Sequence, residues 1–275
     1  MSKVIKPLTN EQLRIKAPSL FQDQPYHEVS SKYHFIPTIE IIEQLRAENW
    51  YPVTVNEAGV RDLSKNGFQQ HYVRFQHFSD LINPNANVVE LLLFNSHDRS
   101  MSFSISAGVY RYICSNGLII ADSVFDSYKI KHLGDKENDV INAVANITAI
   151  KPKLLEKISK FESITLNQNE KESFLQSALP LRFENHLKLD NPNELLTPLR
   201  IEDKKDDLYT VLNILQENFL SSKVSGYNKE TNRRFTSKQI TSISKDVEIN
   251  KGLWDIAERI ASIKNDSYES PLIAA

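Results

Sequence analysis

The chain has 275 residues, with 33 lysines and arginines against 35 aspartates and glutamates and a formal net charge of -2. At 40% hydrophobic and 25% charged residues, its composition is that of a globular protein and not of a disordered one. The near-zero charge argues against a polybasic-tail binder, although a local basic patch can sit inside a neutral total. A single cysteine, Cys114, excludes an intramolecular disulfide, a four-cysteine zinc site and a CxxC redox centre. The apolar run near Leu91 stops at Asn95, far short of the ~18 residues of a membrane span. The first residues, Met1 to Pro7, lack the apolar core of a signal peptide. The expectation is a soluble cytoplasmic protein without a membrane association.

Only 7 glycines occur. Neither G-x-G-x-x-G nor G-x-x-x-x-G-K-[ST] is present, which removes the usual nucleotide fingerprints. The first thirty residues, punctuated by Pro7, Pro18 and Pro25, read as irregular chain held by Leu20 and Phe21. Pro37-Thr38 reads as an N-cap, followed by Ile39, Ile42 and Leu45 at helical spacing up to about Asn49. Trp50 to Arg61 and Phe68 to Phe78 read as strands, joined by an Asn66-Gly67 turn of the two-residue hairpin type. Val88 to Asn95, nearly continuous in apolar residues, reads as a central strand. Met101 to Ser106 alternates serines with Phe103 and Ile105 and reads as a half-buried fourth strand.

From Ala107 to Asn116 two readings compete. Ile105, Val109, Tyr112 and Ile113 fit one helix face capped by Gly117, and the rival is a second hairpin through Asn116-Gly117; the helix is preferred. After Gly134 a helical stripe runs through Val140, Val144, Ile147, Leu154, Ile158 and Phe161, with a kink or break expected at Pro152. Phe174, Leu175 and Ala178 mark another helix. Leu208, Val211, Leu212, Leu215 and Phe219 give the clearest amphipathic one, and Leu253, Ile256, Ala257 and Ile260 the last. The fold class is therefore α+β. An antiparallel sheet with helices occupies residues 1–133 and a mainly helical region, 134–275, packs on it as one compact unit.

Ser96-His97-Asp98 resembles a catalytic triad written in one line. Consecutive strand residues point to alternating faces, so turn capping by the Asn95 and Asp98 side chains is the preferred reading over a ligand site or nucleophilic catalysis. The polar residues Asn95, Ser96, His97, Asp98, Arg111 and Asn116 all fall in the most apolar third of the chain. They are expected to form one hydrogen-bonded network at the end of the central strand, with Arg111 reaching Asp98 or a backbone carbonyl. His71 and His77 lie about 20 Å apart along one strand and cannot share an ion. No metal site and no cofactor is expected. Asp203, Asp206 and Asp207 beside Lys204 and Lys205 read as the acidic start of the following helix.

Ser221 to Lys245 carries Lys223, Lys229, Arg233, Arg234, Lys238 and Lys245 against one acid, Glu230, and reads as an exposed loop. Its first five cations are candidate phosphate contacts, with Tyr227 or Phe235 available to stack on bases.

Several runs carry a family resemblance: Tyr33-His34-Phe35-Ile36-Pro37-Thr38, Leu93-Phe94-Asn95-Ser96-His97-Asp98, and Tyr110 to Leu118. Asp206 to Thr210, Gln216-Glu217-Asn218 and Ile249 to Trp254 add to it. In these the chain resembles the YafZ/YfjQ/YubP proteins, the grouping called domain of unknown function 932, from about residue 8 to 263. Arg99 stands where that family usually has a glycine, Tyr209 where it has a Trp, and Ser221-Ser222 where it has two glycines. The resemblance implies a setting on conjugative plasmids and prophages and brings no activity with it.

Together these readings give a non-catalytic accessory protein of a mobile genetic element whose partner is DNA, single-stranded DNA in particular. The strand aromatics Tyr72 and Phe75, and Arg61, Arg74, Arg233 and Arg234 on one concave face, would serve that role. The order helix, three-stranded meander, helix is also similar to that of single-strand annealing proteins, an analogy of topology alone. The alternative is a protein-binding inhibitor of a host defence system. Either reading admits a homo-oligomer.

Overall fold

A computed structural model describes residues 5–30, 33, 35–83, 86–111, 116–119 and 136–266. The chain divides into two compact units, Met1–Pro152 and Lys153–Ala275.

The first unit is built on a five-stranded antiparallel meander, β1 (Trp50–Glu57), β2 (His71–His77), β3 (Asn87–Asn95), β4 (Ser104–Arg111) and β5 (Asn116–Ile119), in that spatial order. β3 is central, and every residue from Val88 to Asn95 is buried, as its apolar run required. One face of the sheet carries Val73, Phe75, Val89, Leu91, Leu93, Ile105 and Val109, all within 0% exposure. The N-terminal helices α1 (Asn10–Lys16) and α2 (Thr38–Ala47) lie by β1 and deliver Leu13, Ile41, Ile42 and Leu45 to the core. The opposite face carries Arg74, Gln76, Glu90, Leu92 and Ser106, and these are buried too.

Several expectations are corrected here. The first thirty residues are not irregular: Thr9 and Gln12 form a capping box for α1, and Pro18–Phe21 makes a 3₁₀ turn that buries Leu20. Thr38 is the first residue of α2 and makes no cap bond, because its hydroxyl is engaged elsewhere. β1 stops at Glu57, and no two-residue turn exists at Asn66-Gly67. Asn66 is extended (φ -62°, ψ 125°) and only Gly67 has positive φ (+92°), after a 3₁₀ turn at Leu63–Lys65. A hairpin of the expected type needs positive φ at both central residues.

Ala107–Arg111 is strand, not helix. Ile105, Ala107 and Val109 alternate into the core opposite Leu93, Leu91 and Val89, and this burial outweighs the helical spacing. Gly117 therefore caps nothing; it lies in β5 opposite Tyr110. Residues 112–115, between the two strands, lie outside the described residues.

α3 (Phe78–Ile82) follows β2, and α4 (Lys136–Ser163) runs on as one helix through Pro152. The second unit holds α5 (Gln168–Ala178), α6 (Leu208–Ser221) and α7 (Ile243–Asp266). Its core includes Phe161 against Trp254, ring centroids 5.1 Å apart, together with Phe174, Leu212 and Phe219. Asp207 caps α6 by accepting from the Thr210 amide at 2.8 Å, which accounts for the acidic start read there.

The expected basic loop is instead a hairpin. β7 (Ser225–Asn228) and β8 (Arg233–Thr236) pair antiparallel, and β6 (Leu187–Leu189) adds on the other side of β7. Gly226 sits in the middle strand with the Phe235 ring over it. A Cβ there would come within 2.4 Å of the Lys188 carbonyl and 2.8 Å of that ring, so only glycine allows the three strands to close.

Candidate functional site

The end of β3 meets the start of α2 in a buried polar cluster. Antiparallel register sets His71 opposite Asn95 on the face that α2 covers. Thr38 Oγ1 lies 2.9 Å from His71 Nε2, and Asn95 Nδ2 donates to the same oxygen at 3.0 Å and to the Ile36 carbonyl at 3.2 Å. His97 Nε2 is 3.5 Å from Thr38 Oγ1. One hydroxyl hydrogen cannot serve both rings, and the shorter distance assigns it to His71 Nε2. His71 Nδ1 then carries the proton and faces the Gln69 carbonyl at 3.2 Å and Ser19 Oγ at 2.8 Å. The Ser19 amide donates to Glu57 Oε2 at 2.8 Å, whose other oxygen accepts from Gln69 Nε2 at 2.7 Å. His97 Nδ1 has no hydrogen-bond partner among the described residues.

Two runs that carry the family resemblance converge here. Tyr33 donates its hydroxyl to the Ser96 carbonyl at 2.9 Å, and the Phe35 and His97 ring centroids stand 4.7 Å apart. Burial pushes the His71 imidazole down to about 3, and the neighbouring His97 adds to the fall. Burial likewise takes His97 down to about 4, against the opposing pull of the Ser19 backbone and Asp98. Both rings are neutral at pH 7.

Of the sequence-derived cluster, Asn95 and His97 belong to this network, and Ser96 joins it through its amide, which donates to Asn95 Oδ1 at 2.9 Å. Ser96 Oγ donates to the Met101 carbonyl and accepts from its amide. Asp98 accepts from the Ser100 amide at 3.0 Å and faces Lys65 at 3.7 Å. Ser96, His97 and Asp98 share no side-chain hydrogen bond, so no triad is assembled. Arg111 and Asn116 are not at this end of the sheet. Arg111 pairs with Asn87, at the far end of β3, about 27 Å from Asn95 at ordinary strand rise. An antiparallel neighbour reverses direction, so nearness in sequence to Asn95 became distance in space.

Sequence reading missed Thr38, His71, Ser19 and Glu57 as members. The signal was the cross-strand register, which cannot be read without the pairing of β2 with β3. Among the described residues no group of three His, Cys, Asp or Glu side chains could hold a metal. Cys114 lies outside them.

The second candidate is the β6–β7–β8 sheet. Lys188, Tyr227 and Arg234 lie in register across the three strands and so share one face. Lys188 and Arg234 are exposed and Tyr227 between them is half-buried. Lys223, Lys229, Arg233 and Lys238 are exposed as well. Arg234 pairs with Asp190 at 2.5 Å, with 69% and 46% of the two side chains exposed. Such a surface pair is worth at most about 1 kcal/mol and exchanges readily for another anion.

The other expected nucleic-acid residues belong to the first unit. Tyr72, Phe75 and Arg74 are buried in the five-stranded sheet, with Arg74 bonded to Glu90. They offer bases and phosphates no surface. Arg61 and Arg74 belong to the first unit, Arg233 and Arg234 to the second.

Comparison with known proteins gives the relationship. The chain is similar to the UPF0380 proteins YafZ and YfjQ of Escherichia coli, each 29% identical over 255 residues that cover 93% of this chain and 92% of theirs. No solved structure matches it. The family model described as "Domain of unknown function (DUF932)" matches residues 25–254, which takes in both histidines of the cluster and the basic hairpin, and the chain belongs to that family.

Proposed function

We propose that the chain is a non-catalytic accessory protein of a mobile genetic element that binds nucleic acid through the exposed face of β6–β7–β8. The observation that supports this is the register of Lys188, Tyr227 and Arg234. Adjacent strands lie about 4.8 Å apart, so an aromatic ring is flanked on both sides by a cation at that spacing. A base stacked on Tyr227 has its phosphates within reach of both, with Lys229 just past the end of β7. This arrangement favours single strands, because a duplex keeps its bases stacked inside.

Filter binding with single- and double-stranded DNA at low salt tests the reading. Single strands should be retained, and retention should fall steeply as salt rises. Lys188→Ala/Arg234→Ala should weaken retention and shallow the salt slope by about one to two. Tyr227→Ala should weaken single strands selectively. Retention of neither form overturns the proposal, and recovery of a stoichiometric host protein in its place would favour the defence-inhibitor reading.

A further inference from the structure

A cavity of about 300 Å³ opens in the second unit where the N-terminal ends of α5 and α6 meet the turn before α6. Lys171, Lys204 and Lys205 line it beside Asp203 and Asp206, over an apolar floor that includes Val211 and Ile214. The acids are already engaged. Asp203 is 2% exposed and accepts from Arg200 at 3.3 Å, while Asp206 accepts from Lys171 at 2.5 Å. The Lys204 and Lys205 ammonium groups make no hydrogen bond or ion pair among the described residues, and both residues are exposed. Two lysine ammonium groups without a direct partner therefore stand at the cavity, whose lining carries three lysines against two aspartates.

The turn that carries them is held in place. Arg200 forks onto Glu217 of α6 at 2.6 and 2.5 Å, the Lys204 amide donates to the Ile201 carbonyl at 3.1 Å, and the Leu166 amide donates to the Asp206 carbonyl at 2.8 Å. On the same turn Leu199 and Ile201 are left 60% and 80% exposed. Leu199 and Ile201 lie outside the cavity's lining, whose apolar part is Leu196, Pro198, Val211 and Ile214 beside the lysines.

We propose that this cavity binds a small soluble amphiphilic acid, its carboxylate or phosphate between Lys204 and Lys205 and its apolar body against the half-buried Leu196 and Pro198. The space, about ten water volumes, suits a short-chain anion. None of these residues belongs to the basic hairpin, so the inference stands apart from nucleic-acid binding.

Sodium octanoate is the probe, with octanol and octylammonium as controls, titrated against the whole ¹⁵N-labelled protein. Octanoate should shift the Lys204, Lys205 and Val211 amides saturably, with an affinity about tenfold above either control. Lys204→Ala/Lys205→Ala, two exposed positions, should weaken octanoate about tenfold without lowering Tm. Equal binding of octanol, unchanged octanoate binding in the double variant, or no saturable shift overturns the proposal. Capture of phosphatidylglycerol vesicles in place of saturable octanoate binding overturns the soluble-ligand assignment.

Discussion

The His71 and His97 rings stand 5.2 Å apart between centroids, with Thr38 Oγ1 between their Nε2 atoms. Both are neutral and both are 0% exposed, so protonating either places a charge where water cannot reach it. Their folded-state pKa values lie at about 3 and about 4, below the 6.5 of a free imidazole. The unfolded chain therefore binds more protons than the folded one between those limits, and stability falls as pH falls below 6.5. Urea unfolding between pH 7.5 and 5 should show a loss that approaches about 2–3 kcal/mol per pH unit, two protons' worth. His71→Asn should remove about half of the slope. A flat profile would mean that the rings titrate normally in the folded state.

Thr38 is the hub of this cluster. Thr38→Val keeps its shape and deletes the one atom that His71, His97 and Asn95 all address. The loss should be about 2–4 kcal/mol, the cost of leaving buried partners unsatisfied. Thr38→Ser should recover most of it. A loss below about 0.5 kcal/mol in chemical denaturation would show that the hydroxyl's partners are satisfied some other way.

Much of this architecture was legible beforehand, and its failures have physical causes. The apolar run of β3 and the i, i+3, i+4, i+7 stripe of α6 each bury as their spacing requires, because one period dominates. Ile105 to Ile113 satisfied two periods at once, and the sheet's ladder decided between them. β7 and β8 escaped notice because four-residue strands with polar faces leave no alternation to read. The histidine cluster was the least legible part. Thr38, His71 and His97 are brought together by strand register and the seating of α2, not by spacing along the chain.

Arg99 has φ +67°, in the left-handed region. It follows Asp98, whose carboxylate accepts from the Ser100 amide and so fixes the turn. A side chain there costs about 1–2 kcal/mol that glycine does not incur. Arg99→Gly should raise stability by about 0.5–1 kcal/mol, the strain relief less glycine's greater unfolded-state entropy. Asp98→Ala should lower it by about 1 kcal/mol. Thermal and urea denaturation measure both, and a lower Tm for Arg99→Gly would mean that the arginine's contacts outweigh the strain.

Arg74 Nε donates to Glu90 Oε2 at 2.5 Å, and Gln76 Nε2 to the other carboxylate oxygen at 2.9 Å. Glu90 stands opposite Gln76 in the ladder, so Arg74 reaches it on the diagonal. The two residues are 6% and 0% exposed, so the pair is shielded from water. Glu90→Gln preserves size and an acceptor for Gln76 but removes the buried carboxylate that faces the guanidinium. It should cost about 3–5 kcal/mol. Arg74→Lys keeps the charge and loses the planar donor geometry, so its cost should be smaller. Neither should alter DNA retention per folded molecule, since Arg74 offers no surface to a phosphate. A loss under about 1 kcal/mol for Glu90→Gln in urea would show that water reaches the pair in solution. A selective fall in retention for Arg74→Lys would return this arginine to the binding surface.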